Sequence, residues 1–156
     1  MLFRSPPSPA GGSIVAIAAR GNEGWALTRD GVVIAASADG LRARRAHPYD
    51  PTQTVGTVAV LSPAAVWIAF PGALLRWDGA RFERAEFFDG MSEPTRVWSG
   101  GPDDLWLAGP VGTVLHFDGR RWSDRSIAAG AEVVALSGGA GEGWAQTADE
   151  IGRAHV

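Results

Sequence analysis

The sequence predicts an all-β protein, a β-propeller of four four-stranded blades. Three observations lead to this prediction: a tryptophan recurs about every 39 residues, Asp-Gly follows it after 11 to 14 residues in three of the four units, and no segment has a 3.6-residue apolar period. A single sheet of about 40 residues cannot bury both of its faces, so units of this kind stack around a ring. Helical bundles and α/β folds do not fit the pattern.

The tryptophans define the repeating unit. Trp25, Trp67, Trp106 and Trp144 are 42, 39 and 38 residues apart, and each follows an apolar segment and a turn rich in Gly, Pro or Ser. The four segments read IVAIAARGNEGW, VAVLSPAAVW, VWSGGPDDLW and VVALSGGAGEGW. Each unit therefore begins with two short antiparallel strands.

A third and a fourth strand follow in the first three units. Their signal is Asp-Gly at Asp39-Gly40, Asp78-Gly79 and Asp118-Gly119, placed between apolar residues. This dipeptide predicts a two-residue hairpin turn, in which both central residues have positive φ. Three residues past the Gly, Phe82 and Trp122 begin the fourth strand.

The two ends of the chain complement each other in this pattern. The fourth unit ends at Val156 after three strands, without its Asp-Gly turn. Phe3 stands 22 residues before Trp25, the same spacing that separates Trp122 from Trp144. We therefore expect the first five residues to supply the outer strand of the last blade, which would remove an exposed sheet edge. The expected blades cover residues 13–46, 55–86, 95–127, and 132–156 with 1–5.

Two ring closures satisfy this arrangement. Four blades can close within one chain, or two chains can form an eight-bladed ring in which each first strand pairs with the partner's last blade. Small residues on the inner strands, at Ala16, Ala18, Ala59 and Ala135, describe a wedge-shaped blade that suits a tight ring. This favours the monomer over the homodimer.

Composition limits the class of partner. The 156 residues are 46% hydrophobic and 20% charged, with a net charge of −3, and all 14 Lys or Arg residues are Arg. A soluble domain with no basic stripe is not expected to bind nucleic acid. No apolar run is long enough for a signal peptide or a membrane span, so the default expectation is a cytoplasmic protein. Cys is absent, which excludes disulfides and thiolate metal sites.

The third unit also carries a resemblance to a known repeat family. Residues 97–123, VWSGGPDDLWLAGPVGTVLHFDGRRWS, resemble tandem repeats of the form VWGSGPDDVWAVGxxGTVLHxDGxxW in bacterial, notably myxobacterial, proteins assigned to β-propellers. The other units keep parts of it, such as LLRWDGARF in the second, while Ala43 replaces the outer-strand aromatic in the first. The resemblance implies a propeller with a binding or structural role and no catalytic signature.

Most aromatic residues are expected to pack between blades, because they recur at equivalent positions of the repeat. The expected structural core comprises Trp25, Trp67, Trp106, Trp144, Trp77, Phe117, Phe82, Trp122 and Phe3. His47, His116 and His155 show no metal-ligand spacing, and Tyr49 lacks the Arg cluster of a sialidase-like site. The sequence thus predicts no catalytic residues, no metal and no cofactor.

Two connections are longer and richer in aromatic and acidic residues than the rest, HPYDPTQT from His47 and EFFDGMSEPT from Glu86. Loops at one rim of a rigid scaffold commonly carry binding residues. The candidate binding residues are therefore His47, Tyr49, Asp50, Phe87, Phe88 and Asp89. The leading hypothesis is a non-enzymatic propeller that binds a protein partner, and the alternative is a lectin-like propeller that binds a glycan.

Overall fold

The computed structural model describes residues 12–45, 56–70, 73–85, 94–127, 130, 132–139, 142–147 and 151–154. Over these ranges the chain forms β-strands and one short 3₁₀ turn. None of the described segments is a helix of the length and apolarity needed to cross a membrane. The architecture is the expected all-β arrangement of four antiparallel sheets, each one blade.

Blades 1 and 2 each contain four strands in sequential order. Blade 1 consists of β1 (Ile14–Arg20), β2 (Glu23–Thr28), β3 (Val32–Ser37) and β4 (Gly40–Arg45). Blade 2 consists of β5 (Thr57–Ser62), β6 (Ala65–Phe70), β7 (Ala73–Trp77) and β8 (Phe82–Arg84). Strand β6, AVWIAF, is rich in β-branched and aromatic residues, which suit a pleated strand packed on both faces.

Blades 3 and 4 follow the same order. Blade 3 consists of β9 (Arg96–Gly101), β10 (Asp104–Ala108), β11 (Val114–Phe117) and β12 (Trp122–Asp124), with the 3₁₀ turn Pro110–Gly112 before β11. Blade 4 has three described strands, β13 (Val133–Gly139), β14 (Glu142–Thr147) and β15 (Ile151–Ala154). The expected displaced outer strand, residues 1–5 with Phe3, lies outside the described residues.

Antiparallel pairing places the turns on two opposite rims. The hairpin rim carries the turns that join the first strand to the second and the third to the fourth in each blade. The linker rim carries the turns between the second and third strands, and the strand ends that flank the connections between blades. Strands β4 and β8 end at the linker rim, and β5 begins there.

The core lies between blades and has three parts. Blades 1 and 2 share a cluster that includes Trp25, Leu27, Ile68 and Trp77. A second cluster, with Leu74, Leu105 and Leu107, joins blade 2 to blade 3, and a third, with Trp106, Val133 and Ala145, joins blade 3 to blade 4. Each blade is therefore held by its neighbours, as the small size of one sheet requires.

The hairpin turns lie where Asp-Gly predicts them, but the predicted two-residue turn with Asp and Gly at its centre is wrong. In blades 2 and 3 the turn has four residues, and the carboxylate Oδ1 of Asp78 accepts hydrogen bonds from the backbone N of Ala80 and Arg81 at 2.8 and 2.9 Å. In blade 1 Ser37 pairs with Gly40, so Ala38 and Asp39 are the central residues. Gly40, Gly79 and Gly119 have the expected positive φ, of 113°, 101° and 86°, but the Asp residues before them do not.

Candidate functional site

Two equivalent grooves open on the hairpin rim, one between blades 1 and 2 and one between blades 2 and 3. Groove 1 has a volume of about 220 Å³ and groove 2 about 430 Å³. Their walls come from the same repeat positions: Trp25 and Trp67, Trp77 and Phe117, Pro63 and Pro102, Gly79 and Gly119. The blade repeat thus produces a repeated site one blade apart.

Groove 1 has a polar wall from blade 1. Glu23, Ser37, Asp39 and Arg42 line it, opposite the turn residues of blade 2. Glu23 on β2, Ser37 on β3 and Arg42 on β4 lie on the face of blade 1 that carries Trp25, and Asp39 lies in the turn between β3 and β4. The wall offers carboxylates, a hydroxyl and one guanidinium, so it can both accept and donate hydrogen bonds.

Trp25, which also lines groove 1, has a buried polar atom without a partner. The residue is 4% exposed, and its indole Nε1 finds no hydrogen-bond acceptor in the described structure. A buried donor left unpaired costs about 1–3 kcal/mol, and this nitrogen has almost no solvent-accessible surface. In blade 3 the equivalent Trp106 Nε1 donates to Asp104 Oδ1 at 2.7 Å.

Groove 2 is more aromatic. Trp67, Phe117 and Trp122 line it, and the rings of Phe117 and Trp122 lie 5.1 Å apart. The Arg76 guanidinium carbon lies 5.8 Å from the centroid of the Trp67 ring, a cation–π distance. Arg76 and Asp103 supply the charges at its mouth, and both are exposed.

At the same level blade 3 contains a closed acid–tryptophan–histidine cluster. His116 stacks on Trp106 with ring centroids 4.2 Å apart, and His116 Nε2 lies 2.8 Å from Asp104 Oδ1. An ionised carboxylate only accepts, so the His116 Nε2–H donates to it. The carboxylate oxygen is thus engaged by both Trp106 and His116, and the cluster orients the tryptophan toward blade 4.

The Asp turns add fixed negative charge to the hairpin rim. Backbone N–H donation by Arg81, and then by Ala80, lowers the pKa of Asp78 below its ordinary value of 3.8. Donation by Arg121 and Arg120 lowers the pKa of Asp118 in the same way. Both carboxylates are therefore ionised at neutral pH.

The predicted core aromatics differ in burial. Trp25, Trp77 and Trp106 are buried, and Trp67, Phe82, Phe117 and Trp122 are half-buried at the grooves and blade edges. Trp144 departs from the expected core position, because it is 40% exposed on the outer face of the last blade. Phe3 is outside the described residues.

The predicted binding loops cannot be placed against these grooves. His47, Tyr49, Asp50, Phe87, Phe88 and Asp89 all lie outside the described residues. The strand ends that flank them are on the linker rim, opposite the grooves. Sequence reasoning therefore missed the grooves. The residue two before the tryptophan is acidic in three units, at Glu23, Asp104 and Glu142, but of these only Glu23 lines groove 1 or groove 2. His116 lies in the packed cluster described above. The parts of the chain that the structure describes hold no group of three or more His, Asp or Glu suited to a metal ion.

Comparison with known proteins supports the architecture. No protein-family model matches the sequence, and no curated protein matches it. Among solved structures, YCF48 bound to D1 peptide matches with a TM-score of 0.67 and 15% identity, over 90% of this chain and 50% of that one. The chain thus spans half the length of YCF48.

Two computationally designed proteins match as well. Ika4 has a TM-score of 0.68 and 16% identity, over 96% of this chain and 94% of its own. Ika8 has a TM-score of 0.63 and 17% identity, over 92% of this chain and 46% of its own. With the four sheets seen here, these similarities show the fold to be a β-propeller arrangement of blades.

Proposed function

We propose that the chain is a non-enzymatic, protein-binding propeller that holds a short extended segment of a partner across grooves 1 and 2. The observation that carries this proposal is the pair of equivalent grooves, one blade apart on one rim and walled by repeat tryptophans. Such a pair accepts two side chains of one segment. Apolar clefts with a few polar groups are the usual form of a binding site.

Two further facts support a peptide as the ligand. YCF48, a propeller that this chain resembles in fold, is bound to a peptide in its solved structure. The grooves also differ in charge: Glu23 and Asp39 outnumber Arg42 at groove 1, whereas Arg76 and Asp103 balance each other at groove 2, and this difference would draw a basic residue of the segment to groove 1.

The proposal includes no catalysis. The pair closest to a catalytic arrangement in the described structure, Asp104 with His116, is bound to Trp106 inside blade 3. A general base must reach a substrate proton, and this histidine is buried with its Nε2 already engaged.

A displayed library of random dodecapeptides tests the proposal. We expect wild-type protein to enrich a related set, and Asp39→Arg or Arg76→Glu to weaken the selected peptides at least about tenfold, or about 1.4 kcal/mol. The matched controls are Asp30→Arg and Arg29→Glu, exposed residues of the same types on the linker rim. No enrichment, or equal weakening by the controls, would contradict the proposal.

A glycan is the second candidate ligand, and the half-buried aromatic rings that line groove 2, Trp67, Phe117 and Trp122, favour it. A sugar ring would stack on these rings, while its hydroxyls form hydrogen bonds with Arg76 and Asp103. A glycan array with wild type and folded Trp67→Leu separates the two candidates. Binding that Trp67→Leu abolishes supports a lectin; a clean negative leaves the peptide proposal standing.

A further inference from the structure

The contacts between blades repeat one pattern. The face of each blade that carries the repeat tryptophan, its tryptophan face, packs on the opposite face of the next blade, its receiving face. Trp25 of blade 1 shares a buried cluster with Val58 and Ile68 of blade 2, and Trp106 of blade 3 shares one with Ala145 of blade 4. Three successive interfaces are built in this direction around the arc.

Blade 4 shows what a receiving face needs. Its inner pairs are Leu136 with Ala145 and Gly138 with Gly143. The Trp106 ring lies so close over Gly143 that an added Cβ would stand 2.8 Å from the ring carbon Cη2. Small residues at this place let the neighbouring tryptophan approach the backbone.

Blade 1 repeats that receiving face at the open end of the arc. Its pairs are Ile17 with Ala26 and Ala19 with Gly24, in the same register relative to the repeat tryptophan. A Cβ added to Gly24 would meet nothing beyond the Ala36 Cβ at 3.6 Å. Ile17 is 71% exposed, so the face is accessible.

Exposed apolar groups concentrate at the two ends. Among described residues, five of the six exposed large apolar side chains are in blades 1 and 4, and the sixth, Val111, lies in a turn of blade 3. Trp144 on the tryptophan face of blade 4 is 40% exposed, against 4% for Trp25 and 1% for Trp106. The two end faces are therefore complementary halves of the interface that the chain makes three times internally.

The inner strands show that the described arc is open. Strand β5 lies against β1 and β9, and β9 lies against β13. In the described part of the chain β13 and β1 do not pack against each other in this way. An arc with complementary ends forms a closed ring when a second arc fills the gap, which also removes the exposed faces.

We propose that a second copy of this chain fills the gap, with Trp144 of each copy over Gly24 and Ile17 of the other, in a two-fold ring of eight blades. Propellers have about four to eight blades, so two copies reach that limit and three exceed it. The chain also covers about half of Ika8, whose single chain contains a matching arc. The inference does not depend on the ligand proposed for the grooves.

Mass in solution tests the ring directly. Light scattering on a sizing column, over a range of protein concentrations, is expected to give twice the chain mass of 16.3 kDa. The mass of one chain at every concentration, which a ring closed within one chain would give, overturns the proposal. A mass of three or more chains overturns it as well.

Variants test the faces. Gly24→Leu has room in its own blade but blocks the receiving face, and Trp144→Arg removes the ring that docks there. Each is expected to give the mass of one chain with an unchanged far-ultraviolet dichroism spectrum. Val111→Arg is the control, because Val111 is 67% exposed and outside the interface, and it is expected to remain a dimer. Folded Gly24→Leu and Trp144→Arg proteins that remain dimers overturn the proposal.

Mixing the two variants tests the head-to-tail geometry. Each variant alone damages both contacts of the ring, whereas a mixed pair has one contact with Trp144 and Gly24 both intact. We expect the mixture to form a heterodimer, weaker than wild type, that neither variant forms alone. Absence of that heterodimer contradicts the arrangement.

Discussion

Blades 2 and 3 differ from blades 1 and 4 in burial although all four share one repeat. Strands β6 and β10 in the middle are buried on both faces, with burial extending over consecutive residues, whereas β14 in the last blade alternates strictly between exposed and buried. The inner strand β5 is largely buried, whereas the inner strand β1 has no buried residue and is exposed at Ile14, Ile17 and Ala19. The repeat determines which face of a blade is apolar enough to pack, and that face is buried only where a neighbouring blade covers it.

The largest expected effect comes from removing the repeat tryptophan of a middle blade, which is compared with removing that of an end blade. Trp106→Ala is expected to lower the free energy of unfolding by about 3–5 kcal/mol, because it leaves a cavity and removes both the indole donor to Asp104 and the ring on which His116 stacks. Trp144→Ala is expected to cost about 1–2 kcal/mol, since its side chain is only partly buried. Urea unfolding, at concentrations where the chain is single, measures both. Equal losses would remove the distinction between middle and end blades.

The next largest effect is expected from replacing Gly143 and Gly24, which occupy equivalent positions in blades 4 and 1, by alanine. Gly143→Ala places a Cβ against the buried Trp106 ring and is expected to destabilise by about 1–3 kcal/mol. Gly24→Ala meets only ordinary contact and is expected to be neutral or to stabilise by about 0.4–1 kcal/mol through the unfolded chain. The same unfolding experiment applies. A loss for Gly24→Ala in the single chain would mean that the receiving face of blade 1 is already filled.

The turns between the second and third strands offer a smaller contrast. Blade 1 uses Gly31 with φ 76°, whereas blade 3 holds Val111 at φ 60° and ψ 32°, a left-handed conformation that a β-branched residue rarely adopts. Val111→Asn is expected to stabilise by about 1 kcal/mol, or about 2–4 °C in Tm. Val111→Thr, which keeps the branch, serves as control, and a gain there would show that strain is not the cause.

The smallest effect concerns the Asp turns of blades 2 and 3. The lowered pKa values of Asp78 and Asp118 mean that their ionised forms stabilise the fold above pH 3.8, and that this contribution is lost as the pH falls through the lowered values. Asn at both positions keeps the acceptor oxygen but not the charge. We expect wild type to exceed this double variant in urea midpoint at pH 7, and the difference to shrink near pH 2. A difference that does not change with pH would contradict the assignment.

Much of the fold follows from particular residues of the sequence. The spacing of Trp25, Trp67 and Trp106 locates the second strand of each blade, because equivalent contacts between identical units require equivalent residues. The Asp-Gly signal located the turns correctly but not their type, since a carboxylate that caps two backbone N–H groups closes a four-residue turn without left-handed Asp.

The sequence predicted less of the candidate site than of the fold. Unequal loop lengths pointed to the His47 and Phe88 connections, which stay predictions. Groove 1 depends on Glu23 and Ser37 of one blade meeting Pro63 of the next, and residues this far apart give no local pattern. Periodicity in the sequence predicts the strands and turns within one blade, but it does not predict a groove formed between two blades.

The sequence by itself determined the number of units, the strand order within each and the positions that can pack, because these depend on local alternation and turn chemistry. Tertiary structure alone decided which of those positions are buried, where the rim grooves open and that Trp25 holds an unpaired donor. Burial is a property of the neighbouring blade, and the chain repeats the same surface at Trp106 and Trp144 with opposite results. In the described structure no further blade covers the two ends of the arc, so the apolar faces of the repeat are exposed there in the single chain.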